Sequence, residues 1–154
     1  MRHRIRAAAL LVDADRILLV YHEDSQTGRG FWAPPGGGLE AQDNSIHLCA
    51  IREVFEETGL GVTLSRIAYI REFCDDVTGT LHLEIFFLAS SWSGNITLEH
   101  LPAGQPDSDM IKESRWVGRE ELKSLTVYPP ELKDDFWTHH ADGFPTTIYL
   151  GRTF

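Results

Sequence analysis

The chain has 154 residues, 42% of them hydrophobic, enough for one well-buried core and too few for two ordinary ones, so a single domain over residues 1–154 is expected. With 14 Lys and Arg against 23 Asp and Glu, the formal net charge is −9. That balance argues against a nonspecific nucleic-acid groove and against binding to an anionic membrane surface.

From the N-terminus, Arg4, Arg6 and the run Ala7 to Val12 have the outline of a signal peptide, but the apolar stretch is short and Asp13 and Asp15 interrupt it. A strand is the better reading, and Ile5 to Val12 with Arg16 to Tyr21 around Asp13-Ala14-Asp15 suggests a hairpin. The polar stretch His22 to Gly30 reads as a mobile loop, and Phe31 to Ala33 as a short strand feeding Pro34-Pro35-Gly36-Gly37-Gly38. Residues 45 to 58 predict a helix capped by Asn44 or Ser45 and stopped at Gly59, with Leu48, Ile51, Val54 and Phe55 as the stripe expected to pack on a sheet. On that expectation the acidic residues face elsewhere, and the small Cys49 and Ala50 let another backbone come close. Val62 to Phe73 and Leu81 to Ser90 predict paired strands about a turn at Asp75 to Gly79, followed by a loop over Gly94 to Asp109. A strand at Arg115-Trp116-Val117, helices near Arg119 to Ser124 and Glu131 to His140, and a strand over Thr146 to Leu150 complete the chain. No segment reaches the length of a transmembrane helix. Cys49 and Cys74 form neither a disulfide framework nor a zinc spacing, and reduced thiols in a cytoplasm are expected.

The chemistry concentrates in Arg52-Glu53-Val54-Phe55-Glu56-Glu57-Thr58-Gly59-Leu60. Glu53, Glu56 and Glu57 stand at i, i+3 and i+4, within an arc of roughly 100° on a helix. Like charges so placed repel, which makes the cluster costly without a cation. Three carboxylates are oxygen donors of the kind magnesium takes, since it keeps several waters and shares its shell with substrate phosphates. A merely solvated acidic face would account for neither the glycine loop just upstream nor the stop at Gly59. None of the seven histidines has a zinc spacing, His139 and His140 being adjacent. The glycine run lacks the Lys-Ser/Thr ending of a P-loop.

This pattern resembles the signature of the Nudix hydrolases, here running from Gly38 to Leu60. All nine positions from Arg52 to Leu60 fit, as does Gly38; the family's first Glu is replaced by Asn44, with Asp43 just before it, as though the loop had gained one residue. Looser likenesses at the first hairpin, at Trp32 to Gly38, and at Arg115-Trp116-Val117 with Glu120-Glu121-Leu122 extend the resemblance over nearly the whole chain. It implies an α/β/α sandwich with a mixed β-sheet and hydrolysis of a diphosphate bond in a nucleoside diphosphate derivative or nucleotide by water attack at phosphorus. It also implies Mg²⁺, with Mn²⁺ as a substitute, held by Glu53, Glu56, Glu57 and the Gly37 carbonyl, with Arg52 orienting a carboxylate. Glu53 is the general base preferred within the motif, and Glu57 shares the catalytic assignment. Glu113 is the best-placed additional carboxylate from a later loop, ahead of Glu84, Glu99, Asp107 and Asp109. Asp43, out of the family register, is expected to matter little.

Phe31, Trp32, Tyr69, Trp92 and Tyr128 are the aromatics that could stack a base, and Trp116 reads as core. The substrate-binding residues themselves stay unassigned. A small nucleotide-type substrate is expected in preference to RNA, because the sequence shows no basic run; a local patch could still arise from Arg66 and Arg71 or from Arg115 and Arg119. A homodimer stays open, no membrane partner is expected, and the alternative function is a catalytically weak or inactive nucleotide-binding module of the same fold.

Overall fold

The structure, a computed structural model, describes residues 1–153, the side chains of Pro106 and Asp107 excepted. Among the described residues nine strands form two sheets. The larger is built from β1 (Arg2–Leu10), β5 (Gly36–Gly38), β6 (Gly61–Asp75), β7 (Thr80–Ser93) and β9 (Ile148–Thr153), in the order β5-β1-β7-β6-β9. It is mixed: β1 runs parallel to β7 and β6 parallel to β9, while β5 and β6 lie antiparallel to their partners β1 and β7. The smaller sheet joins β2 (Val12–Asp13), β3 (Arg16–Glu23), β4 (Gly30–Ala33) and β8 (Ile111–Gly118).

The first hairpin is shorter than the sequence suggests. The chain breaks at Leu11, so β1 belongs to the larger sheet and only β2 folds back on β3. Leu11 still accepts a hydrogen bond from the Leu18 N–H at 3.0 Å, which ties the two sheets together.

Alternation along β1 sends Ala8 and Leu10 to one face and Ala7 and Ala9 to the other. On the first face they join a core with Tyr69, Phe86, Phe136 and Phe144, covered by α3 (Arg119–Leu122), a 3₁₀ turn (Pro130–Lys133) and α4 (Asp135–Ala141). On the second they pack with Cys49, Ala50 and Val54 of α1 (Ile46–Thr58). Helices on both sides of the larger sheet make the α/β/α arrangement. A four-residue helix, α2 (Pro106–Asp109), interrupts the long connection from β7 to β8.

Helix α1 starts where Ser45 accepts the Leu48 N–H at 3.0 Å and stops at Gly59, whose φ of 79° is left-handed and whose N–H bonds Phe55 O. Its buried face differs from the expected stripe. Leu48 and Phe55 are 45% and 44% exposed, whereas Cys49, Ala50, Glu53, Val54 and Glu57 face inward. Opposite the alanines of β1, small residues let the helix approach closely, and this packing outweighs burying the larger Leu48 and Phe55. Phe55 instead stacks on His100, with ring centroids 4.3 Å apart. No helix of the described residues is long and apolar enough to cross a membrane.

Candidate active site

The acidic helix reaches its cleft through the glycine strand. β5 is the edge strand next to β1, pairing Gly37 with Ala7 and Gly38 with Arg6. A Cβ on Gly37 would stand 2.5 Å from the Glu53 carboxyl, and one on Gly38 would stand 2.3 Å from the Arg4 guanidinium. With no side chains there, carboxylates from one face of the strand and a guanidinium from the other close on the same backbone.

Glu53 and Glu57 are only 9% and 6% exposed, and both line the cleft with Glu56. Glu57 accepts the Gly36 N–H at 2.9 Å. Burial, with the neighbouring Glu53 charge, pushes the Glu57 carboxyl well above the usual carboxylate range; burial raises Glu53 as well, against the pull of Arg52. From β8, the Ser114 hydroxyl donates to the Glu57 carbonyl at 2.6 Å and so pins the end of the helix.

Arg52 organises the charges around it. Its Nε and Nη2 each donate to Asp43 at 2.8 Å, and its Nη1 to Glu53 at 3.0 Å and Glu56 at 3.2 Å, while Nη2 also reaches the Gly38 carbonyl at 3.2 Å. One planar fork thereby holds the loop, the helix and the glycine strand in register.

Asp43, expected to matter little, is tied into this network. Its side chain is 4% exposed, it grips Arg52 through both oxygens and it accepts the Glu40 N–H at 2.9 Å. The carboxylate that meets Arg52 is thus that of Asp43, and Asn44 is left exposed. We expect Asp43→Ala to lower kcat by about 10- to 100-fold, the scale of removing a group that orients a ligand. Hydrogen bonding from Arg52 holds the Asp43 carboxyl down at about 2, from an ordinary 3.8. Its contribution to stability is thus complete above about pH 4 and is lost as the pH falls towards 2. Acid unfolding curves of the wild type and Asp43→Asn should converge over that interval; curves that remain parallel would contradict the pairing.

The later-loop acids fall elsewhere. Glu113 points to solvent on β8, 3.3 Å from Arg115, while Ser114 turns inward; strand alternation decides between the two. Glu113 is therefore not brought to the cluster. Glu99 and Asp109 are exposed, and the side chain of Asp107 lies outside the described residues. Glu84 does line the cleft, bound by Arg6 at 3.2 Å and Arg71 at 2.9 Å. The residues of the two possible basic patches are engaged elsewhere, Arg71 with Glu84. Arg66 donates to the Phe144 carbonyl, Arg115 lies over Trp32 and Arg119 over Trp137.

The cleft has a volume of about 1000 Å³ and carries Phe31 and Tyr128 at one end, their rings edge to face at 5.6 Å, with His22 stacked behind Phe31 at 4.8 Å. Of the other candidate stacking residues, Trp32 and Tyr69 are buried, and Trp92 packs on Trp116 beside the α1 core. The arginines on β1 were missed because they alternate, Arg2-x-Arg4-x-Arg6, and so never form a run. Read with a period of two, that spacing would have revealed them.

Among the described residues no three His, Cys, Asp or Glu side chains form a ready-made metal cluster. The donors that face the cleft are carboxylate oxygens, two of them buried and mutually repelling. Such a set suits a hard cation that draws the rest of its shell from water and phosphate.

Comparison with known proteins agrees with this construction. The NUDIX domain family model matches residues 1–136. The chain is 32% identical over 124 residues to phosphatase NudJ of Shigella boydii, covering 79% of this chain and 74% of that protein, and 31% identical over 115 residues to phosphatase NudJ of Escherichia coli K12, covering 74% and 68%. In fold it is similar to a NUDIX hydrolase from Nitrosomonas europaea, with a TM-score of 0.74 at 23% identity over 96% of this chain and 94% of that one. The chain belongs to the Nudix family, and it is a Nudix hydrolase.

Proposed function

We propose that this chain is a divalent-metal-dependent pyrophosphohydrolase that cleaves the diphosphate linkage of a nucleoside diphosphate derivative or nucleotide. The reading rests above all on Glu53, Glu56 and Glu57 lining one cleft beside the glycine strand, with Arg52 bonded to two of them. Glu53, Glu56, Glu57 and the Gly37 carbonyl are the groups that would hold Mg²⁺ or Mn²⁺. When bound, such an ion neutralises phosphoryl oxygens and lowers the pKa of the attacking water.

The chain's own residues supply the remainder. Glu53 would accept the proton from water, and the hydrogen bond from Arg52 to its Oε1 at 3.0 Å supports that role. Walls at Pro34, Phe31 and Met110 bound the cleft, and Phe31 with Tyr128 offers a planar group an apolar seat. Hydrolysis with Mg²⁺ should be screened by chromatography of the products over nucleoside triphosphates, ADP-ribose, nucleotide sugars and dinucleoside polyphosphates. Turnover of at least one class supports the reading. Binding of nucleotides without turnover of any would favour the inactive binding module instead.

A further inference from the structure

The sheet register carries a second chemistry away from the carboxylates. Arg2, Arg4 and Arg6 share the β1 face that further along presents Ala8 and Leu10 to the core. Register aligns Arg6 with Glu84 and Arg71, Arg4 with His82 and Phe73, and Arg2 with Thr80 and Asp75, so three rows cross β1, β7 and β6. Where α4 covers this face it is apolar; beyond, it is the floor of the cleft and carries four arginines against two carboxylates in these rows. Within these rows the positive charges outnumber the negative ones, whereas Glu40, Glu53, Glu56, Glu57 and Asp76 line the cleft outside them.

Three observations say what the floor takes. Arg6 and Arg71 share the single carboxylate of Glu84, so that row keeps one positive charge. His82 is 7% exposed and lines the cleft, and among the described residues its buried Nδ1 has no hydrogen-bond partner, an unsatisfied polar atom at the cleft wall. Phe73 is enclosed between the His82 ring at 4.5 Å and the Arg71 guanidinium at 4.8 Å, so it offers no open face for stacking a base. Burial and the nearby Arg6 and Arg4 hold His82 below its usual titration range, so at neutral pH the ring carries one N–H and can donate it. The turn acid Asp75 is engaged in accepting the Val77 and Thr78 N–H groups.

Resting on the pyrophosphohydrolase reading, we propose that Arg4 and His82, supported by Arg2 and the Arg6–Glu84–Arg71 row, grip a phosphate beyond the scissile pair, making this cleft selective for a triphosphate group over a diphosphate. Arg2 and Arg6 stand four positions apart on β1, a track of about 13 Å, longer than a diphosphate needs.

Binding calorimetry with inorganic tripolyphosphate and pyrophosphate, at magnesium concentrations saturating both, tests this without turnover. The wild type should bind tripolyphosphate about 10-fold more tightly, the scale of one charge-assisted hydrogen bond. Arg4→Ala and His82→Ala should each reduce that preference while leaving pyrophosphate binding unchanged, and Arg4→Lys should restore part of it. Equal affinity for both chains in the wild type, or equal losses for both in Arg4→Ala, would overturn the proposal. A nucleoside triphosphate arm distinguishes sources: tighter binding than tripolyphosphate, abolished in Tyr128→Ala, identifies a nucleotide, and no gain identifies the inorganic chain. A tripolyphosphate preference in a protein that hydrolyses nothing would refute the enzymatic reading alone, and hydrolysis without the preference would refute only the grip.

Discussion

Glu57→Gln and Glu53→Gln should each lower kcat by on the order of 10²–10⁴, the scale of losing a positioned ligand or acid–base group. Both substitutions keep the side-chain shape. In Glu57→Gln the amide oxygen can still accept the Gly36 N–H that Glu57 accepts at 2.9 Å, so the contact between helix and glycine strand survives. What disappears is one negative charge in a buried, repelling pair. The same change should raise the stability of the metal-free protein at neutral pH. Burial and Glu53 hold the Glu57 carboxyl high, so its favourable contribution is present below the ordinary carboxylate range and is lost as the pH rises through the raised value. Glutamine has no such proton to lose. Thermal unfolding in chelator across that pH range should therefore show a flatter profile for Glu57→Gln than for the wild type. A variant that is both inactive and less stable at neutral pH would mean that Glu57 serves packing rather than metal binding.

Removing divalent ions should abolish turnover, and Mg²⁺ or Mn²⁺ should restore it. The physical ground is charge. A polyphosphate approaching Glu53, Glu56 and Glu57 meets three carboxylates, with Arg52 already committed to Asp43, Glu53 and Glu56. Without a cation that repulsion disfavours binding and leaves the attacking water at its ordinary pKa, which a metal would lower by several units. Metal binding should also stabilise the fold, because it relieves the same repulsion in the native state alone. Unchanged turnover after exhaustive chelation would exclude the mechanism, and an unfolding temperature insensitive to Mg²⁺ would count against these carboxylates as the ligands.

The acidic cluster and its helix were legible in the chain because they depend on local spacing. Glu53, Glu56 and Glu57 fall on neighbouring turns of any helix that forms there, and Ser45 and Gly59 mark its ends through capping preferences that act within a few residues. The paired strands β6 and β7 were legible for a similar reason, since two apolar β-rich runs flanked a turn rich in Asp and Gly.

Which helix face turned inward was decided only by the tertiary fold. Leu48 and Phe55 looked like the core stripe, but the alanines of β1 favour close approach, and that selects Cys49, Ala50 and Val54. The contact of Asp43 with Arg52, nine residues away, depended on where the loop placed its carboxylate. Strand pairing likewise decided the fates of the scattered charges. It directed Glu113 to solvent and set Glu84 between Arg6 and Arg71, residues 78 and 13 positions distant in sequence. Spacing along a helix is fixed by backbone geometry, whereas contacts between strands depend on register, and register is settled by the packing of the whole sheet.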